Sequence, residues 1–133
     1  MQVFDLTRLT SVGSDVPPVT FTEDAHYNGF GKAHNIVINE TQGYAYAVGT
    51  NTYSGGPHFV NISNPLNPVS EGGYGNDAYS HDAQVVTYNG PDTDYTGKEI
   101  LIGSNLNEVV IVDVTDKINP TQIATINYPN IGY

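Results

Sequence analysis

An internal repeat is the feature that most constrains what this chain can fold into. Residues 34–38 (HNIVI) recur as residues 81–86 (HDAQVV), beginning 47 positions further along. Two more pairs follow in the same order, residues 43–51 with 97–105 and residues 59–68 with 111–120, and residues 3–7 (VFDLT) are a partial third copy. A period of roughly 40–50 residues built from short strands is typical of β-propeller blades, which need neighbours to bury their faces.

Each repeat divides into four short segments with strand character. Residues 44–50 alternate Tyr with Ala, and residues 98–104 alternate Ile and Leu with smaller residues, so each predicts a strand with two distinct faces. The predicted strands are 34–39, 44–50, 58–62 and 69–74 in the first repeat, and 81–88, 98–104, 109–114 and 122–128 in the second. The prediction is an all-β fold, a β-propeller fragment of about two and a half four-stranded antiparallel blades.

The repeat also predicts how the chain is divided. Residues 1–33 are expected to form the outer two strands of a partial blade (3–9 and 19–22) with a connecting loop, residues 34–80 one blade, and residues 81–133 another. About four blades are needed to close a ring. We therefore expect a piece of a longer protein, or a protomer in a homo-oligomer. Its partners would be the rest of the propeller or other protein chains.

Composition narrows the classes of partner. Four Lys and Arg residues against fourteen Asp and Glu give a net charge of −10, which repels phosphate backbones and anionic lipids. No apolar run approaches the ~20 residues that a membrane-spanning helix needs. Binding to nucleic acid and insertion into a membrane are therefore not expected. The sequence has no cysteine, so a disulfide framework is excluded.

Longer motifs resemble those of two related families of bacterial proteins. Residues 110–116 (VIVDVTD), followed by Asn119 and Pro120, resemble the core of LVIVD-repeat proteins. Residues 25–35 (AHYNGFGKAHN), 43–49 (GYAYAVG) and 88–99 (YNGPDTDYTGKE) resemble the choice-of-anchor B family. The resemblance implies a secreted or cell-surface bacterial β-propeller. That family carries no agreed activity, so the resemblance transfers no catalytic residues.

The loop around residues 92–99 (DTDYTGKE) is the candidate calcium site. It belongs to a connection seven residues longer than its counterpart in the first repeat. Asp92, Asp94 and Glu99 offer the hard oxygen ligands that Ca²⁺ prefers. The alternative is an acidic hairpin loop in which Asp92 and Asp94 cap turn amides.

The histidines offer a second candidate site. His34 and His81 occupy equivalent positions at the start of inner strands, so they are expected at one end of the fold, where with His26 and His58 they could bind a transition metal. The alternative is that each histidine ties its blade to a neighbour. The neighbouring Asn35 and Asp82 are expected to satisfy strand-end amides.

No spaced catalytic constellation is visible in the sequence. The trio Ser80, His81 and Asp82 is contiguous, and adjacent strand residues point to opposite faces, so these residues are not expected to form a triad. The leading hypothesis is therefore a non-enzymatic extracellular module that binds a partner or surface ligand through one end of a propeller. The alternatives are a secreted metal-dependent enzyme with its site at the channel mouth, and a structural subunit of a larger assembly.

Overall fold

The chain is mostly β-structure. The computed structural model describes residues 1–14, 17–77 and 79–129. The strands are β1 Gln2–Val3, β2 Ala25–His26, β3 Asn35–Asn39, β4 Tyr44–Val48, β5 His58–Asn61, β6 Val69–Gly73, β7 Ser80–Thr87, β8 Glu99–Asn105, β9 Glu108–Asp113 and β10 Thr121–Asn127. Short 3₁₀ turns lie at Leu6–Ser11, Tyr53–Gly55 and Thr93–Tyr95. Over the described ranges, no helix has the length and apolar character to cross a membrane.

Eight of the strands form two antiparallel four-stranded sheets, β3–β6 and β7–β10, in which neighbouring strands follow each other along the chain. We call them the first and second sheets. The prediction of an all-β fold with four strands in each repeat is confirmed, and the strand limits differ from the predicted ones by one or two residues. Alternating apolar residues and the repeat were sufficient to define these strands, because each strand is short and antiparallel to the next.

One face of the first sheet packs on one face of the second. Tyr46 and Phe59 from the first sheet are fully buried against Leu101 and Val110 from the second. The same core contains Val48, Tyr74, Ala83, Val112 and Val114, with Val37, Tyr44 and Val85 at its margin. At this junction β3 and β4 lie against β7, so the first two strands of one sheet cover the first strand of the next.

The first 33 residues depart from the predicted pair of strands. Residues 3–9 were expected to form one strand, but β1 ends at Val3 and a 3₁₀ turn follows. The carboxylate of Asp5 accepts a hydrogen bond from the backbone N–H of Thr7 at 2.9 Å, which bends the chain out of the extended conformation. Residues 19–22 form no strand, and β1 pairs instead with β2. These predictions of strands 3–9 and 19–22 were wrong.

The bend at Asp5 is nevertheless a feature of the repeat. Equivalent side chains accept a hydrogen bond from the backbone N–H two residues ahead in all three copies: Asp5 from Thr7 (2.9 Å), Asn61 from Ser63 (2.9 Å) and Asp113 from Thr115 (3.0 Å). Tyr27, seven residues before His34, is buried like Tyr74, seven residues before His81. The residues around β1 and β2 therefore correspond to the third and fourth strands of a repeat.

Candidate functional site

The starts of β3 and β7 bring equivalent residues of the two repeats together at one end of the sheets. We call this region the histidine end and define it by His34, Asn35, Tyr79, His81 and Asp82. The 34/81 correspondence in the sequence predicted that the two histidines would share one end, and the structure places them in direct contact.

Two pairs of equivalent residues are in contact across the histidine end. The imidazole rings of His34 and His81 are 4.1 Å apart between centroids and inclined by 36°. Beside them the Asn35 side-chain amide donates to Asp82 Oδ1 at 2.7 Å. The same two side chains also cap the starts of their strands. Asn35 Oδ1 accepts from the backbone N–H of Ile36, and Asp82 Oδ1 accepts from the backbone N–H of Ala83. The expectation that Asn35 and Asp82 satisfy strand-end amides is confirmed.

A cavity of about 310 Å³ adjoins His34 and is open to solvent. It is lined by Met1, Phe30, Ala33, His34, Asn35 and Ile36. Gly49 supports the same end, because a Cβ at this position would lie 2.5 Å from His34 Cβ and 2.6 Å from the Tyr79 hydroxyl, and its φ is +62°. The end thus combines exposed imidazole and amide groups with an apolar hollow.

His58 occupies a separate, buried polar cluster between the first sheet and the N-terminal segment. Its Nε2 lies 2.6 Å from the Tyr27 hydroxyl and 3.2 Å from the Ser70 hydroxyl, and its Nδ1 lies 2.8 Å from Thr52 Oγ1. A neutral ring with its proton on Nδ1 donates to Thr52 and accepts from Tyr27. Burial lowers the pKa of the His58 imidazole, which favours this neutral form.

The contact between Ser70 and His58 has the elements of a nucleophile and a general base, which sequence reasoning missed because the two residues are 12 positions apart on neighbouring strands. Two features weaken that function. The hydroxyl of Tyr27 shares the basic nitrogen at a shorter distance, and Nδ1 faces the hydroxyl of Thr52 where a triad has a carboxylate that stabilises the imidazolium. The cluster is better suited to holding Tyr27 against the first sheet.

The carboxylates predicted to bind calcium are directed to different partners. Asp92 accepts from the backbone N–H of Asp94 at 3.1 Å and caps the Thr93–Tyr95 turn, as the alternative interpretation expected for Asp92. Glu99 is buried, accepts from the Asn39 side-chain amide at 2.8 Å, and pairs with Lys117 Nζ at 2.7 Å. Calcium binding stays a prediction, with Asp92 and Asp94 as the carboxylates that face solvent.

Lys117 and Glu99 belong to a buried polar cluster between the two sheets. The Lys117 ammonium also donates to the carbonyl of Val114 at 2.7 Å and lies 4.2 Å above the Tyr44 ring. Burial raises the pKa of Tyr44 to about 12, and the carboxylate of Glu71, to which its hydroxyl donates, adds to the rise. This cluster lies between the two sheets, and its contacts do not include the histidine end.

The four histidines do not form one metal site. His26 pairs with the carboxylate of Glu23 at 2.9 Å, and His58 is enclosed in its own cluster. In the part of the chain that the structure describes, no three His, Asp or Glu side chains converge as a metal ion would require. Within the described ranges, His34 and His81 are the histidines whose rings lie against each other.

Comparison with protein-family models, with curated proteins and with solved structures gave no match for this chain. A proposal for its function therefore depends on the fold and the contacts described above.

Proposed function

We propose that this chain is an extracellular β-propeller repeat module that binds a partner or surface ligand through the histidine end and is not an enzyme. The observation that carries the proposal is the cross-sheet pairing of equivalent residues, His34 with His81 and Asn35 with Asp82. A repeat that places the same polar residues side by side builds a continuous strip of donors and acceptors, which further repeats would extend.

Two properties support binding at this end. His34 and Asn35 are solvent-exposed, so a ligand can reach their polar atoms. The adjoining cavity of about 310 Å³ supplies apolar contacts from Phe30 and Ile36, and binding sites commonly combine a few polar groups with an apolar wall. The repeat and the stacking of the two sheets support the β-propeller. The resemblance to LVIVD-repeat proteins supports the secreted setting.

A ligand panel tests the proposal. Soluble sugars, short peptides and divalent metal ions would be screened by thermal shift, with wild type beside His34→Ala, His81→Ala and the matched control His26→Ala. We expect at least one compound to raise the melting temperature of wild type and His26→Ala but not of the other two variants. Saturable turnover of glycosides, esters or phosphoesters that is lost in His34→Ala would contradict the proposal.

The metal-dependent enzyme with its site at the channel mouth stays a prediction. A different enzymatic function, that of a serine hydrolase, is favoured by one observation, the contact between Ser70 and His58. A serine-reactive phosphonate probe decides it directly. Stoichiometric labelling of wild type that is absent in Ser70→Ala would establish an activated serine. We expect no labelling above the level of that variant, because Tyr27 already occupies the nitrogen that would accept the serine proton.

The calcium prediction has its own test. If Asp92 and Asp94 bind Ca²⁺, millimolar CaCl₂ raises the melting temperature and EDTA lowers it, because a ligand that binds only the native state stabilises it. Asp92→Asn combined with Asp94→Asn would abolish the shift. An unchanged wild-type melting curve would leave the loop with its capping role alone.

A further inference from the structure

The inner strand of the first sheet exposes two large apolar side chains. Ile36 and Ile38 on β3 are 40% and 49% exposed, and both lie on the face that points away from the second sheet. Their equivalents in the repeat are Ala83 and Val85 on β7. Those two residues lie in the core between the sheets, beside Val37 of β3.

What covers Ala83 and Val85 is the hairpin formed by β3 and β4. That hairpin reaches this position because β4 pairs along β5, the third strand of the first sheet. The second repeat is thus covered by the first two strands of the repeat before it, which are held in place by pairing with the third strand.

The N-terminal segment supplies only the outer half of the corresponding cover for the first sheet. β1 and β2 correspond to a third and a fourth strand, and Tyr27 packs on Ala45 and Val60 as Tyr74 packs in the core between the two sheets. A first and a second strand that would pair with β1 do not occur among the described residues, where β1 and β2 form a sheet of two strands.

The free edge of β1 is able to accept such a strand. Met1 and Tyr27 exchange two backbone hydrogen bonds, at 2.6 and 2.8 Å, and Gln2 lies opposite His26 at the next step. In an antiparallel pair the residue between hydrogen-bonded steps points its N–H and C=O to the other edge. Gln2 therefore presents both groups to the side of β1 that faces away from β2.

We infer that this surface, the free edge of β1 together with Ile36 and Ile38, is a docking site for an antiparallel β-hairpin with the pattern of the first two strands of this repeat. The hairpin adds its second strand to β1 and lays its apolar face on β3, in the way that β3 and β4 lie on β7. Main-chain hydrogen bonds to Gln2 provide binding energy, and alternate apolar side chains provide specificity. The inference rests on the repeat geometry. Its surface shares Ile36 with the cavity beside His34, so a docked hairpin would cover part of that cavity.

A synthetic peptide of residues 34–50 (HNIVINETQGYAYAVGT) is the probe, titrated into the full chain by calorimetry. We expect saturable binding, and protection of the Gln2 amide from hydrogen exchange. The double variant Ile36→Lys with Ile38→Lys should weaken binding at least tenfold, because it places two charges under the hairpin. The matched control is Ile118→Lys, at a loop position that is 82% exposed, and should bind as wild type does.

A second peptide tests the strand pairing itself. Proline at the positions of Ala45 and Tyr46 removes N–H groups from its second strand, so this peptide should not bind. Absence of wild-type peptide binding at millimolar concentration would overturn the inference. Binding that is unchanged in the Ile36→Lys and Ile38→Lys variant would also overturn it, since the peptide would then occupy another surface. Circular dichroism establishes that each variant is folded.

Discussion

The interface between neighbouring repeats occurs twice in this molecule. It is complete between the two four-stranded sheets, and it has only two of the four covering strands between the N-terminal segment and the first sheet. Between the two sheets it has all four strands on each side, a continuous core around Leu101 and Phe59, and a buried ion pair of Lys117 with Glu99. Between the N-terminal segment and the first sheet it has two strands of two residues each, with a smaller cluster around Tyr27. The comparison teaches that the inner hairpin, more than the outer strands, excludes water from this type of junction.

The largest expected effect lies in the core of the complete junction. Leu101→Ala should lower the free energy of unfolding by about 3–5 kcal/mol, because it removes a fully buried side chain and leaves a cavity. Ile102→Ala is the matched control on the other face of the same strand, where the side chain is partly exposed, and should cost less than about 1.5 kcal/mol. Urea unfolding measures both. Equal losses would show that the junction is not the main core.

The ion pair at the same junction should have the next largest effect. Lys117→Met leaves the Glu99 carboxylate buried without its cation and should cost about 3 kcal/mol. The double variant Lys117→Met with Glu99→Gln removes the uncompensated charge and should recover much of that loss. If the double variant were as unstable as the sum of the single changes, the two residues would act independently of each other.

The incomplete junction is expected to respond to pH through His58. Burial lowers the pKa of the folded imidazole, while the unfolded state binds a proton near pH 6.5. The contribution of His58 to stability is therefore fully present above about pH 6.5. It falls as the pH drops towards the folded pKa, at up to about 1.4 kcal/mol per pH unit. The groups that contact the ring are hydroxyls of Tyr27, Thr52 and Ser70 and nearby aromatic rings, which are neutral in this range.

Urea midpoints between pH 8 and pH 5 measure this slope. His58→Gln should flatten it, because this variant has no buried imidazole to take up a proton. An identical pH dependence in wild type and His58→Gln would show that the titrating group lies elsewhere.

The smallest expected effect compares two buried tyrosines of the complete junction. The Tyr74 hydroxyl lies within hydrogen-bond distance of Asp77 and Gln122, so Tyr74→Phe should cost about 1 kcal/mol. The Tyr46 hydroxyl is buried and has no hydrogen-bond partner among the described residues, so Tyr46→Phe should be neutral or stabilising. Thermal unfolding of the two variants side by side measures the difference. A larger loss for Tyr46→Phe would reveal a partner of its hydroxyl.

Local pattern accounts for most of what could be predicted. Alternation over residues 44–50 and 98–104, together with the repeat, was sufficient to define eight strands because every one pairs with a neighbour in sequence. The partial copy of the repeat misled over residues 3–9, because the backbone N–H and the hydroxyl of Thr7 both donate to the Asp5 carboxylate, and β1 ends after Val3. Residues 130–133, the last of the predicted blade 81–133, lie outside the described residues.

The sequence by itself determined the repeat, the four strands of each repeat and the placing of His34 and His81 at one end of the fold, since equivalent residues of two repeats begin equivalent strands. Only the tertiary structure decided which polar groups are enclosed. In the sequence, Glu99 is one of the three acidic residues of the candidate calcium loop. In the structure it lies in β8, and its buried carboxylate accepts a hydrogen bond from Lys117, 18 positions away. His58 and Ser70 meet because β5 and β6 are neighbours, and Tyr27 reaches them across 31 residues. Such contacts depend on how the sheets stack, and burial makes each of them necessary, because an enclosed polar group without a partner destabilises the fold.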